Sequence, residues 1–383
     1  MQLSTALPMQ VNTSIDKLRA EDQFILACLQ HQQSLPELAL DEELLIHRMK
    51  YHRVTSMVYQ HLLQSDGLHI LSAKTQTRLK EHYQLNIGRN LAISYLVKKI
   101  SKVLAENNIE TMTLKGATFI ESFPDYALVR EMCDLDILVK SPKLHQAIEA
   151  LYSLGFEHTG YFSSNRSKLK KWYYRFNSNA INILSKRSDI PDILLEVHWR
   201  LFATSNHTIW TEKYLWNRAK YCSEQTVYHL DATHALLHVC AHQCNDLQIY
   251  LYGLVDVANI LTYWSKEIDW DEVISRAKSQ KLLLHLVNIL RLSNELLKIP
   301  LPDAYYSYLQ SYESKAQPGY QFILERLFHK EITGDWVEAM SETQVFRRLE
   351  YSNSWQRFWC EVNFRFPKYI FLKLIHNIAQ QLP

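Results

Sequence analysis

Three acidic side chains and one lysine stand at spacings that phosphate chemistry uses. Asp134 and Asp136 lie two residues apart in DLDILVK. On a strand both project from one face, about 6.6 Å apart along it. Carboxylates so placed repel each other unless a cation or water separates them, and they can grip divalent metal ions from one side, as phosphoryl and nucleotidyl transfer require. A solvated edge strand with two surface acids has the same spacing. Glu196, in ILLEVHW, favours the metal reading. The alternation there puts Leu194, Glu196 and His198 on one face of an apolar strand, where a carboxylate is costly to bury unless paired or metal-bound. An ion pair to Arg130 or Arg200 is the alternative, but a metal site accounts for three acids at once. The run TLKG, residues 113–116, ends a strand in a Lys-Gly turn that opens a helix. Such a turn offers backbone N–H groups, a helix N-terminus and the Lys115 charge to a phosphate.

Periodicity names the elements that must hold these residues. Ile109–Leu114 alternates as a short strand, Ala117–Phe123 reads as a short helix ended by Pro124, and Asp134–Lys140 alternates with Leu135, Ile137 and Val139 on the core face. Ser141-Pro142 starts a helix that Gly155 closes, and 156–161, 180–184 and 193–199 are further strands. Around this unit the pattern is helical. Residues 41–64 and 75–106 carry apolar side chains at helical spacing, with Gly88 as the expected break in the second stretch. Asp231 caps a helix with His234, His238 and His242; 249–261, 282–297 and about 320–380 follow. Residues 1–20 are polar and aperiodic, a loose arm. The expected fold is α+β: a small mixed-sheet core at 96–205, embedded in helical regions at 1–95, 206–300 and 301–383.

Composition excludes several classes. Only 8 of 383 residues are glycine, about 2% against a usual 7% or so, which argues against large all-β folds and multi-glycine phosphate loops. The formal charge of +2 gives no electrostatic case for nucleic acid. Six scattered cysteines form no disulfide framework. The first fifteen residues lack Lys and Arg and any long apolar run, and no stretch approaches the ~18 apolar residues of a membrane span. A cytoplasmic location is expected.

Other motifs have ordinary explanations. In HVCAHQC, His238 and His242 share a helix face while Cys240 and Cys244 lie about 200° away, so all four cannot ligate one ion and no zinc is predicted. The basic and aromatic run 166–175 suits a nucleotide or single strand as well as a solvated connection. FPKYIFLKLIHNI suits a membrane-surface helix, or more simply a face docked on the protein's own body.

The order of strand, Lys-Gly turn, helix, DxD strand and later acid resembles the DNA polymerase beta-like nucleotidyltransferases. More closely, it resembles the bacterial group of uncharacterised nucleotidyltransferases. The matches are Leu114-Lys115-Gly116, Tyr126, Arg130, Asp134-Leu135-Asp136 and Glu196-Val197-His198-Trp199, with looser likeness from His52-Arg53-Val54 to Asp256 and Trp270-Asp271. The superfamily's Gly-Ser turn departs here to Gly116-Ala117-Thr118, which removes one hydroxyl from the phosphate site. The resemblance implies a Mg²⁺-dependent nucleotidyltransferase core in which Asp134, Asp136 and Glu196 hold two Mg²⁺. Lys115, Gly116, Ala117, Thr118, Arg130 and His198 would contact the nucleotide, with Arg130 reaching a phosphate or orienting Asp134. It further implies an NTP donor, ATP by expectation, an acceptor among peptides or proteins, small metabolites and RNA ends, and release of pyrophosphate. A non-catalytic nucleotide-binding module and a γ-phosphate transferase are the competing readings.

Overall fold

The computed structural model describes residues 18–158, 180–185, 193–201, 212–224, 226–245, 249–280 and 282–328. The basic run 166–175, most of the N-terminal arm and the stretch FPKYIFLKLIHNI lie outside them. Four helices come first: α1 (Ala20–Leu29), α2 (Glu42–Tyr51), α3 (Thr55–Gln64) and the long α4 (Ala73–Glu106). Next are β1 (Thr111–Thr113), α5 (Gly116–Ser122), α6 (Pro124–Val129), β2 (Asp134–Val139), α7 (Leu144–Ser153), β3 (Phe156–His158), β4 (Ala180–Ser185) and β5 (Leu194–His198). The chain continues through α8 (Glu212–Arg218), β6 (Lys220–Cys222), β7 (Val227–His229), α9 (Ala232–Asn245) and α10 (Leu251–Tyr263). Last come α11 (Trp270–Ser279), α12 (Leu283–Leu297), α13 (Asp303–Gln310) and α14 (Glu313–Phe328). The fold is α+β, with one mixed sheet of seven strands in the order β3-β4-β5-β2-β1-β7-β6.

The core face of β2 follows its alternation. Leu135, Ile137 and Val139 are buried against Ile93, Leu96 and Ile100 of α4 and Ile148 and Leu151 of α7. Burying each such side chain contributes roughly 1.5–3 kcal/mol, which fixes the register and therefore the face on which Asp134 and Asp136 emerge. A second core joins α1–α3 to α9–α12 and α14. Side-chain caps set several helix starts: Asp41 accepts from Glu43 N and Leu44 N, and Asp269 accepts from Glu272 N.

Three features differ from the sequence reading. Gly88 does not break α4, which runs uninterrupted for 34 residues, about 50 Å. One mid-helix glycine costs only about 1 kcal/mol, less than the buried stripe after it supplies. Residues 41–64 form two helices, because Arg53 takes a left-handed conformation with φ 54°. The sheet also extends past residue 205 through β7, which pairs parallel to β1, and β6 beyond it. Strands of three residues are too short to display a period. Among the described residues, no helix is long and apolar enough to cross a membrane.

Candidate active site

Parallel pairing of β2 with β5 sets Asp136 opposite Glu196 and Leu138 opposite His198. Beside them, the turn after β1 is tied to β2 by Leu114 N donating to Asp136 O at 3.1 Å. That bond brings Lys115 over the acids. Lys115 holds φ 50° and ψ −128°, a conformation in which side chains are strained by roughly 1–3 kcal/mol. Its Nζ donates to Asp136 Oδ1 at 2.8 Å. His198 Nε2 reaches the same oxygen at 2.9 Å, and Glu196 Oε2 lies 3.4 Å from that nitrogen. An ionised carboxylate only accepts, so Nε2 carries the proton. Donor atoms of Asp136, Glu196 and His198 all lie within 4.8 Å of one another.

Charge in this cluster is strongly biased. Burial opposes ionisation of Asp136, but Lys115 and His198 prevail and hold its carboxyl far below the usual range. Burial likewise opposes the Lys115 ammonium, yet Asp136, with Asp134 and Glu196 nearby, keeps it charged above its ordinary value. Asp134 goes the other way: burial and then Asp136 push its carboxyl up, with Lys115 opposing. His198 is raised because hydrogen bonds to Asp136 and Glu196 outweigh its burial. Behind it, burial and then His242, Lys115 and His198 push His238 of α9 well below its ordinary value, so this buried ring is neutral.

The turn residues divide. Gly116 is required sterically, since a Cβ there would stand 2.3 Å from Arg130 Nη1. Ala117 is buried in the sheet core, and Thr118 Oγ1 donates to Thr113 O at 3.0 Å, so neither supplies the hydroxyl missing from the turn. Arg130 is engaged elsewhere. Its Nε and Nη2 donate to the two oxygens of Asp256 on α10, each at 2.8 Å, and Tyr126 Oη donates to the same carboxylate. The bidentate partner of Arg130 is therefore Asp256 rather than Asp134.

A model of the family described as uncharacterised nucleotidyltransferase matches residues 39–298, more than half of the chain. The chain belongs to that family. No curated protein and no solved structure matches it. The family's name supplies a reaction class, nucleotidyl transfer, and with it an NTP substrate.

In this nucleotidyltransferase-family chain the donor chemistry fits a divalent cation. Asp136 is ionised, Glu196 keeps 22% of its side chain exposed, and both offer oxygens to a hard ion. The compact trio contains His198, expected from sequence as a nucleotide contact, while Asp134 stands outside it. In the sequence Asp256 enters only as part of the looser resemblance. An acid among Leu254, Val255, Val257 and Ala258 on a helix was the available signal, because such a group is buried only when paired.

Proposed function

We propose that the protein is a Mg²⁺-dependent nucleotidyltransferase that moves a nucleoside monophosphate from an NTP, ATP by expectation, to an acceptor hydroxyl and releases pyrophosphate. One observation carries this reading: Asp136, ionised though buried, lies directly across from Glu196 and under Lys115. Mg²⁺ held by Asp136 and Glu196, with Asp134 alongside, would supply charge neutralisation at the phosphates and activate the attacking oxygen. The acceptor oxygen forms a bond to the α-phosphorus as the bond from that phosphorus to the α,β-bridging oxygen breaks; pyrophosphate leaves with the bridging oxygen, and the acceptor's proton passes to solvent. Glu196, the more exposed acid of the trio, faces that acceptor. Lys115 meets the negative charge that develops on the leaving pyrophosphate. His198 holds Asp136 and Glu196 in fixed orientation through one shared proton. Acceptor classes consistent with the chemistry are a peptide or protein hydroxyl, a small metabolite and an RNA end.

One observation favours a second reading, a nucleotide-binding module without turnover: the turn lacks its hydroxyl, since Ala117 is buried and Thr118 bonds back to the strand. Incubating the protein with each NTP, Mg²⁺ and cell extract, followed by intact-mass analysis, decides between them. Transfer predicts an acceptor heavier by one nucleoside monophosphate. Binding of NTP with no adduct under any condition would establish the module instead.

A further inference from the structure

Arg53 occupies the turn between α2 and α3 with φ 54°. Its amide donates to Lys50 O at 3.1 Å and that of Val54 to Met49 O at 3.0 Å, a helix ending whose left-handed residue is usually glycine. Here the position carries a guanidinium. That group lies 5.3 Å from the ring centroid of Tyr250 and 5.5 Å from that of Tyr252, at the start of α10. The two rings are stacked on each other at 5.9 Å. Among the described residues, the Arg53 side chain has no hydrogen bond or ion pair.

Lys115 and Arg130, at the catalytic turn, are already committed, Lys115 to Asp136 and Arg130 to Asp256. Tyr252 links Arg53 to that turn. Arg130 also stacks on the Tyr252 ring, at 5.0 Å, and its Nη1 is the group that backs Gly116. The Tyr252 hydroxyl lies within electrostatic range of Arg130, Arg53, Asp256 and Asp134. Arg53 therefore stands one aromatic ring from Arg130, the residue that backs the Gly116 turn.

We propose that Arg53, mounted on Tyr250 and Tyr252, is an anion subsite of the same centre and takes the terminal phosphates of the nucleoside triphosphate. The inference rests on the nucleotidyl-transfer reading. Tyrosine rings against the guanidinium hold it in place and leave N–H edges free for paired hydrogen bonds to phosphate oxygens. A triphosphate carries more negative charge than Lys115, already paired, can offset. The reaction class fixes that charge on the donor, whereas an acceptor hydroxyl requires none.

Calorimetric titration of the full chain with MgATP, Mg-pyrophosphate and AMP tests the proposal, using wild type, Arg53→Gly and Arg53→Lys. Glycine suits the left-handed position, so Arg53→Gly keeps or raises the melting temperature. Its affinity for ATP and pyrophosphate should fall at least about tenfold, the scale of a lost charge-assisted hydrogen bond, with AMP binding unchanged. Arg53→Lys, with charge but no fork, should lie between. Unchanged ATP affinity in Arg53→Gly overturns the proposal, as does an equal loss for AMP. Unchanged ATP affinity with reduced turnover on extract would assign the anion to the acceptor and likewise overturn it. A wild-type protein that binds none of the four NTPs would instead sink the transfer reading itself.

Discussion

Lys115–Asp136 and Arg130–Asp256 are ion pairs on buried carboxylates with contacts of 2.8 Å, and both abut the turn at Gly116, yet only the second is closed. Arg130 meets Asp256 with two parallel hydrogen bonds, and Tyr126 and the Tyr252 ring cover the pair. One acid serves one cation. The Lys115 cluster instead gathers Asp134, Asp136 and Glu196 around a single lysine and a histidine, an excess of negative charge that folding alone would not select. The first arrangement braces a turn. The second holds an acceptor-rich surface that gains from an added cation. Each contains the residue type expected for metal or phosphate, and partner count separates them.

Exchanging one acid in each cluster tests that distinction. Asp136→Asn should lower turnover at least ~10³-fold, about 4 kcal/mol of barrier. The stability loss should be smaller, because Lys115 keeps Asp134 and Glu196 as neighbours and one carboxylate repulsion disappears. Turnover and thermal melts of the same preparation check both halves. Asp256→Asn should show the reverse weighting, losing about 3 kcal/mol of stability because Arg130 is left buried without the carboxylate that pairs with it, while turnover per folded molecule falls less than for Asp136→Asn. Denaturant unfolding measures it.

Gly116→Ala sharpens the contact between the clusters. The new Cβ would meet Arg130 Nη1 at 2.3 Å, and the guanidinium is pinned by Asp256, so about 1–3 kcal/mol of stability should be lost. The double variant with Asp256→Asn should lose less than the sum, since Arg130 is then free to move.

A third ion cluster, partly exposed, sets the lower end of the scale. Burial raises the Asp231 carboxyl, but His234 and Arg218 outweigh it and bring the pKa down to about 2 from an ordinary 3.8. A depressed folded-state value means that the stabilisation is complete above about pH 4 and is lost as pH falls towards 2. Melting temperatures of wild type and Asp231→Asn should therefore converge over that interval, by the smallest margin of the four because Arg218 is 42% exposed.

Much of this arrangement is legible in the chain. The alternation of DLDILVK and ILLEVHW places the acids and His198 on one face, since a period of two leaves a strand no other choice once its core face is buried. The Lys115-Gly116 turn is similarly local. What escapes is long-range pairing. Asp256 lies 126 residues from Arg130, and no spacing rule connects them. Asp134 and Asp136 look equivalent in sequence, but their ionisation diverges because only Asp136 receives both Lys115 and His198. The strands β6 and β7 escape because three residues carry no period, and α4 runs past Gly88 because tertiary burial overrides one weak position.

Quantifying pyrophosphate and nucleoside diphosphate from the same reactions tests the central claim most directly. Wild type and Asp136→Asn would each be incubated with every NTP, Mg²⁺ and extract, with product masses recorded alongside. Pyrophosphate should appear one-to-one with an acceptor made heavier by one nucleoside monophosphate, and Asp136→Asn should produce neither. Release of nucleoside diphosphate instead, or wild-type pyrophosphate yield from Asp136→Asn, would contradict the assignment of this acid cluster to nucleotidyl transfer.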